Sequence, residues 1–332
     1  MKKVAVVILN WNGKKLLEHF LPSITEYSNQ ATVYVADNCS TDDSVAFVKT
    51  NFPTVKIIQN KENYGFAKGY NEALKSVEED IFALVNSDIE VTKDWLQPII
   101  DLYNSDSEIA IIQPKIKDFN DKSKFEYAGA AGGFIDKYGY PFCRGRIFDK
   151  IEEDTNQYND VIDIFWASGA CFFIKKEVFL KLNGFDSDFF AHQEEIDLCW
   201  RALNKGFLIK YCGYSTVYHI GGATLNASNP KKTYLNFRNS LLMLLKNIPK
   251  NKIFFIILTR LILDGIAGIK FLLEGKFKHF LAIINAHFSF YNMIFRTLKK
   301  RDKHQLNNYY YTKSILYINY FKSGMFVDIN KN

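Results

Sequence analysis

Four short segments carry side chains able to hold a phosphorylated ligand. They are Asn10-Trp11-Asn12-Gly13, Asp37-Asn38-Cys39-Ser40-Thr41-Asp42, Asn63-Tyr64-Gly65-Phe66-Ala67 with Asn71 just beyond, and Asn86-Ser87-Asp88. A carboxylate such as Asp37 accepts hydrogen bonds from a ribose or a base edge. A glycine at a helix start, here Gly65, lets backbone N–H groups approach a ligand closely. Asp88 stands where a diphosphate would end, and a hard cation, Mg²⁺ or Mn²⁺, needs an oxygen ligand there to bridge protein and phosphate. Turns alone enrich Asn, Asp and Gly, so any one segment equally suits a plain turn, Asn10 and Asn12 among them. Four in succession are harder to assign to turns.

The elements before these segments decide whether they meet. Apolar runs at Val4–Leu9, Thr32–Ala36, Val55–Gln59, Ile81–Val85 and Ile109–Gln113 alternate with helical spacing. That spacing shows in Leu16, Leu17, Phe20, Leu21 and Ile24, in Phe66, Tyr70 and Leu74, and around Trp95–Tyr103. Strands alternating with helices predict an α/β fold with a mostly parallel, Rossmann-like sheet covered on both faces. Ligands of such sheets bind beyond the carboxyl ends of the strands, where the four segments fall. No G-x-G-x-x-G fingerprint is present, which argues against NAD. Residues 114–165 are irregular and glycine-bearing, and read as loops with an edge hairpin. Regular pattern returns at Ile164–Ile174, Gly206–Tyr211 and Thr216–His219, and long helices follow from about residue 230.

The motifs in order resemble glycosyltransferase family 2, and its rhamnosyltransferase-like branch in particular. The likeness rests on Leu9-Asn10-Trp11-Asn12-Gly13, Asp37-Asn38-x-Ser40-x-Asp42, Asn63-x-Gly65-Phe66-Ala67-x-Gly69-x-Asn71 and Asn86-Ser87-Asp88. It continues in Trp166-x-Ser168-Gly169-Ala170, Gly184-Phe185-Asp186, Glu194-Glu195-x-Asp197-Leu198-Cys199-x-Arg201 and His219-x-Gly221-Gly222, covering roughly residues 3–240. The resemblance implies a GT-A fold, a nucleotide diphosphate sugar donor, a divalent metal and inversion at the anomeric carbon. By position it makes Asp37 a holder of the uridine or thymidine part, with Asn10, Asn12, Asn38, Gly65, Phe66, Asn71, Asn86 and Ser87 around the donor. Asp88 becomes the metal-binding acid, with Asn86 in the first place of that motif, and His219 completes the metal site. Glu195 becomes the general base, beside Glu194 and Asp197. Trp166, Ser168, Gly169 and Arg201 face the acceptor or sugar, and Phe190 offers a ring for stacking. Read from residue type alone, Glu194-Glu195-x-Asp197 also suits an exposed acidic helix start, Trp166 a core position and His219 a structural histidine.

Charge divides the chain of 332 residues. Residues 1–229 hold 24 Lys/Arg and 32 Asp/Glu, net −8; residues 230–332 hold 18 and 4, net +14. The expected organisation is a catalytic domain over 1–229, its nucleotide-sugar half about 1–115 and its acceptor half about 116–229, followed by a basic, apolar tail over 230–332. Nucleic acid is not expected, since no nucleic-acid motif accompanies the charge. The stretch 253–273 reaches spanning length but contains Arg260, Asp264 and Lys270, each costing about 2.5–3.5 kcal/mol at a bilayer centre. A helix lying in the lipid interface fits better, with packing within the protein or a homodimer contact as the other uses. Five scattered cysteines without a C-x-x-C pair suit a reducing compartment. The expected location is therefore cytoplasmic, peripheral on the inner face of the cell membrane. The expected acceptor is a glycan, lipid-linked, in bacterial surface polysaccharide or lipopolysaccharide assembly. The expected donor is dTDP-rhamnose, a UDP-hexose or UDP-GlcNAc. The alternatives are a nucleotidyltransferase, which would want a lysine- and glycine-rich phosphate loop where only Gly13, Lys14 and Lys15 stand, and a decayed membrane scaffold.

Overall fold

The computed structural model describes residues 2–221, 229–322, 325 and 326. Gly222 of the last motif lies outside them. The first half runs β1 (Val4–Asn10), α1 (Lys14–Tyr27), β2 (Ala31–Asp37), α2 (Ser44–Asn51), β3 (Lys56–Gln59), α3 (Gly65–Ala73), β4 (Ile81–Asn86), β5 (Ile89–Val91), α4 (Gln97–Ser105) and β6 (Ile109–Asp118). Four short strands follow, β7 (Gly133–Ile135), β8 (Pro141–Cys143), β9 (Arg146–Ile147) and β10 (Lys150–Ile151). Then come β11 (Val161–Asp163), β12 (Cys171–Lys175), α5 (Lys176–Lys181), α6 (Glu194–Asn204) and β13 (Leu208–His219). The chain closes on α7 (Pro230–Asn247), α8 (Ile253–Leu273), α9 (Phe277–Lys299) and α10 (Ile315–Phe321).

Nine strands make one sheet in the order β11-β13-β6-β12-β4-β1-β2-β3, with β5 paired to β13. β3, β2, β1 and β4 are parallel neighbours. β12 enters antiparallel between β4 and β6, so β6 and β13 again run with β4. The sheet is buried on both faces, which is why Val4 to Ile8 form an unbroken apolar run. One face packs Leu17, Leu21 and Ile24 of α1 and Ile99 and Ile100 of α4; the other packs Tyr70 of α3, Leu198 of α6 and the middle of α7.

Three expectations change. The irregular region holds not an edge hairpin but a second, four-stranded sheet, β10-β9-β8-β7. The two apolar stretches at 206–219 are a single strand whose register breaks between Cys212 and Thr216. There Gly213 passes so near residues 158–160 that a Cβ would stand 2.3 Å from the Tyr158 carbonyl. Of Ile164–Ile174 only Cys171 onward joins the main sheet, because the backbone at Trp166 pairs instead with Gly133.

The basic tail begins in the core. Asn229 caps α7, its side chain accepting from the Lys231 N–H at 2.9 Å, and Pro230 opens the helix. Leu241 to Leu245 are all buried, and Leu244 fills the space a Cβ at Gly139 would need. Each such side chain contributes roughly 1.5–3 kcal/mol by leaving water. Four of the five cysteines are buried and none is paired. Leu244→Ala is expected to cost about 2–5 kcal/mol. In urea denaturation the whole cooperative transition moves to lower denaturant; a separate early transition that leaves the main one in place would mean that the tail folds apart from the sheet.

Candidate active site

The strand register brings the expected residues together. Asn10 of β1 pairs with Asp37 of β2, and Leu9 pairs with Asn86 of β4, so three carboxyl ends line up at one sheet edge. Asn10 Nδ2 donates to Asp37 Oδ1 at 3.1 Å and to Ser40 Oγ at 3.2 Å, and the Ser40 N–H donates to Asp37 Oδ2 at 2.9 Å. Asp37 is 1% exposed and forms the floor of this corner. Asn12, at φ 50°, accepts from the Thr41 N–H at 2.7 Å and ties the two loops. Asn38 is a second tie. It donates to Asn63 Oδ1 and to the Gly65 carbonyl, each at 3.0 Å, and accepts from Asn60 at 3.0 Å. The loop into α3 is thereby fixed against the β2 end. Gly65 sits at φ 71°, and its Cβ position is filled by the Phe190 ring at 2.7 Å.

From Asn86 the edge continues in two directions. Ser87 lies beside Gly13, whose Cβ would stand 3.8 Å from Ser87 Oγ and 2.5 Å from Asn10 Oδ1. Asp88 meets His219, which pairs across the ladder with Ile89. Asp88 Oδ1 and His219 Nε2 are 3.1 Å apart, and His219 Nδ1 faces Glu126 Oε1 at 3.3 Å. All three side chains are nearly sealed from water. Burial pulls the imidazole's pKa down, but the two carboxylates outweigh it and hold it at about 10. In the other direction the Asn86 N–H donates to the Ala170 carbonyl at 2.9 Å. Gly169, next to Ala170, faces Glu195 and Phe66: a Cβ there would lie 3.8 Å from the Glu195 side chain and 3.4 Å from the Phe66 ring. A continuous chain of contacts thus joins Asp37, Asn10, Ser87, Asp88 and His219 on one side with Asn86, Gly169 and Glu195 on the other.

Glu194 and Glu195 begin α6, where the helix dipole favours acids. Each has a buried Oε2 without a hydrogen-bond partner. Burial pushes the Glu195 carboxyl up to about 7, against the pull of its own and the Ile196 N–H groups. Glu194 goes well above the usual range, through burial first and then the neighbouring Glu195 charge. A carboxylate poised near neutrality and short of partners is suited to taking a proton.

Five expected site residues are spent on structure instead. Asp197 is fully buried, its oxygens held by Arg201 Nε at 2.7 Å, Lys246 Nζ at 2.9 Å and Asn247 Nδ2 at 2.8 Å, and its carboxyl stays low. The remaining Arg201 nitrogens donate to the carbonyls of Leu182 and Gly184 at 2.6 and 2.9 Å. Asn71 uses both ends of its amide on the Phe185 backbone. Trp166 is buried against Gly133 and donates to the Phe134 carbonyl at 2.8 Å. Ser168 is buried, its Oγ accepting from the Ala170 N–H. They position the site without lining it. Phe190 is 40% exposed, and its carbonyl accepts from the Phe66 N–H, closing the start of α3.

Two residues were missed in the sequence. Glu126 lies in the irregular region, where no motif marks it. Asn239 lies in the tail. The loop before α6 holds Phe190, His192 and Gln193 at φ 64°, 69° and 72°, a left-handed run that side chains rarely adopt. Asn239 Nδ2 lies 2.7–2.9 Å from the carbonyls of Phe189, Ala191 and His192 and holds that run in place. Each carbonyl left unpaired would cost about 1–3 kcal/mol. Asn239→Ala is therefore expected to speed amide hydrogen exchange over residues 190–195 while exchange in β1 and β4 stays slow; unchanged exchange would mean that the loop holds itself. A second consequence concerns pH. The folded Glu195 carboxyl binds its proton more tightly than the unfolded chain does, so its contribution to stability is lost as pH rises from 4.5 to about 7. Glu195→Gln should then melt above wild type at alkaline pH and lose the advantage in acid; a constant offset across pH would contradict the shift.

The family model described as Glycosyl transferase family 2 matches residues 5–182. The N-acetylglucosaminyl-diphospho-decaprenol L-rhamnosyltransferase of Mycobacterium tuberculosis is 22% identical over 231 residues, 64% of this chain and 75% of its own. Among solved structures, S. aureus TarS 1-349 in complex with UDP-GlcNAc shares the fold at a TM-score of 0.58 and 17% identity, over 90% of this chain and 84% of that one. The mannosyltransferase PcManGT of Pyrobaculum calidifontis, in complex with GDP-Man and Mn²⁺, gives a TM-score of 0.54 at 14% identity, over 87% of each chain. The fold is GT-A, and the protein is a glycosyltransferase that belongs to glycosyl transferase family 2.

Proposed function

We propose that the protein moves a sugar from a nucleotide diphosphate sugar to a hydroxyl of a glycan acceptor, with inversion at the anomeric carbon. The observation that carries this reading is the contact chain from the Asp37 corner through Asn86 and Gly169 to Glu195. It joins a half-buried carboxyl of raised pKa to the polar strand ends, which supports a donor held at those ends with Glu195 near its reacting carbon. Glu195 takes the proton of the attacking hydroxyl, a contribution of about 10²–10⁴-fold. Asn10, Asn12, Asp37 and Asn38 shape the corner for the nucleoside, and the start of α3 at Gly65 and Phe66 borders it. Inversion requires the base to attack from the face opposite the departing diphosphate, so that a single displacement inverts the centre.

A divalent ion, Mg²⁺ or Mn²⁺, fits the residues present. Asp88 Oδ1 and His219 Nε2, 3.1 Å apart, would hold the ion, which would displace the proton now lying between them. Glu126 on the far ring nitrogen completes the carboxylate–histidine arrangement that orients such ligands. No group of three or more acids, histidines or cysteines among the described residues could hold an ion alone, so the donor's diphosphate and water would supply the remaining places. When bound, the ion neutralises charge that develops on the leaving diphosphate. The bound Mn²⁺ of the PcManGT structure supports the same choice.

The M. tuberculosis relative's name prints a lipid-linked acceptor and rhamnosyl transfer. Both support a polyprenyl-linked glycan as acceptor here, with dTDP-rhamnose, a UDP-hexose or UDP-GlcNAc as donor. The place of work is then the inner face of the cell membrane, in surface polysaccharide assembly. A panel of nucleotide sugars with Mg²⁺ or Mn²⁺, scored by nucleoside diphosphate release, tests the reading. One donor should turn over with kcat/KM rising as pH passes about 7. Glu195→Gln should lower kcat by about 10²–10⁴-fold with the donor still bound. Asp88→Ala should abolish the metal requirement together with most of the activity. A scaffold would turn over no donor, and neither substitution would change anything.

A further inference from the structure

Helix α8 is built inside out. Arg260 and Asp264 are 2% and 1% exposed and face the protein. Arg260 donates to the Tyr138 carbonyl at 2.8 Å, and its guanidinium stands 4.1 Å from the centre of the Tyr140 ring. Asp264 lies 3.6 Å from Arg260 and 3.4 Å from His287 of α9. The opposite side carries Phe254, Phe255, Ile262, Ile266, Ile269 and Leu273, each between 56% and 84% exposed. No charged side chain interrupts that outer face between Phe254 and Ile269. A helix on a protein surface in water normally shows the reverse, with polar residues outward. A continuous apolar face of this kind, left in water, marks a contact surface.

The charges around the face select its partner. Exposed Lys250 stands before α8, and exposed Lys270, Lys276 and Lys278 cluster where α8 turns into α9. The one acid among them, Glu274, is already paired with Lys270 and Lys276. Protein–protein interfaces are depleted in lysine. A bilayer with anionic headgroups attracts each surface lysine and takes the apolar side chains into its acyl boundary. No helix among the described residues is long and apolar enough to cross a membrane. We propose that the outer face of α8, with the lysines of the α8–α9 turn, docks on an anionic lipid bilayer, the helix lying in the plane of the interface.

This surface is mechanically close to the site. α7 packs against α6, α8 and α9 and carries the Asn239 that holds the loop before Glu194. Lys300, just past α9, reaches Asp186 and Asp188 of the same loop. Docking does not rest on the transferase reading, since lipid binding needs no donor. Sedimentation of the full chain with vesicles tests it. Wild type should pellet with phosphatidylcholine–phosphatidylglycerol vesicles, weakly with phosphatidylcholine alone, and be partly released by salt. The combined variant Ile262→Asn, Ile266→Asn and Ile269→Asn should keep its melting transition and lose about tenfold or more in partitioning. Lys276→Glu with Lys278→Glu should lose the preference for anionic vesicles. Three outcomes overturn the proposal: wild type left in the supernatant with mixed vesicles, the asparagine variant binding as well as wild type, or a wild-type dimer in light scattering that becomes monomeric in the asparagine variant while neither binds vesicles.

Discussion

Everything near Glu195 depends on how the cations around α6 are distributed. The first turn of that helix holds Glu194, Glu195 and Asp197, three acids within four residues. Asp197 takes Arg201, Lys246 and Asn247, and Asp186 shares Lys246 and takes Lys300. Among the described residues no ion pair reaches Glu194 or Glu195. Neutralising Asp197 is obligatory, because an unpaired buried carboxylate costs about 3–5 kcal/mol when its partner is removed. The same arrangement fixes α7 to α6 and leaves the neighbouring glutamates to burial, which raises their pKa. The raised Glu195 carboxyl and the rigid frame thus have one origin.

The sheet edge works by a different principle. There the polar groups are short amides and hydroxyls, and they bond one another across loops rather than along the chain. Asn10, Asn12 and Asn38 each reach a loop of another strand. Such cross-loop bonds hold the floor at Asp37 and the start of α3 in place before any ligand arrives, which lowers what binding must order. Glycine marks where a neighbouring side chain comes too close for a Cβ, as at Gly13 beneath the Asn10 amide and Gly65 beneath the Phe190 ring.

The strands of the first half were legible because a sheet buried on both faces writes itself as apolar runs, and the loops after them as polar punctuation. The register that aligns Asn10 with Asp37 and Leu9 with Asn86 followed from parallel pairing. Role was harder to read than place. Asp197 and Arg201 sit one turn apart on the base helix, and nothing in their spacing separates a catalytic pair from a structural one; only Lys246, 49 residues on from Asp197, decides it. Glu126 and Asn239 were invisible for the same reason, since their partners are distant in sequence and neither belongs to a local pattern. The small second sheet was hidden because strands of two or three residues carry no period.

The tail shows where hydropathy misleads. Read along the chain, α8 looks like a span spoiled by Arg260 and Asp264. Read around the helix, those charges lie on one face and meet Tyr138, Tyr140 and His287, so they are satisfied by protein. The apolar residues are then free to be continuous on the other face. A crossing helix would have to place that charged face in hydrocarbon or find it a partner there. In this fold the partners are Tyr138, Tyr140 and His287, and α8 is joined through α7 to α6.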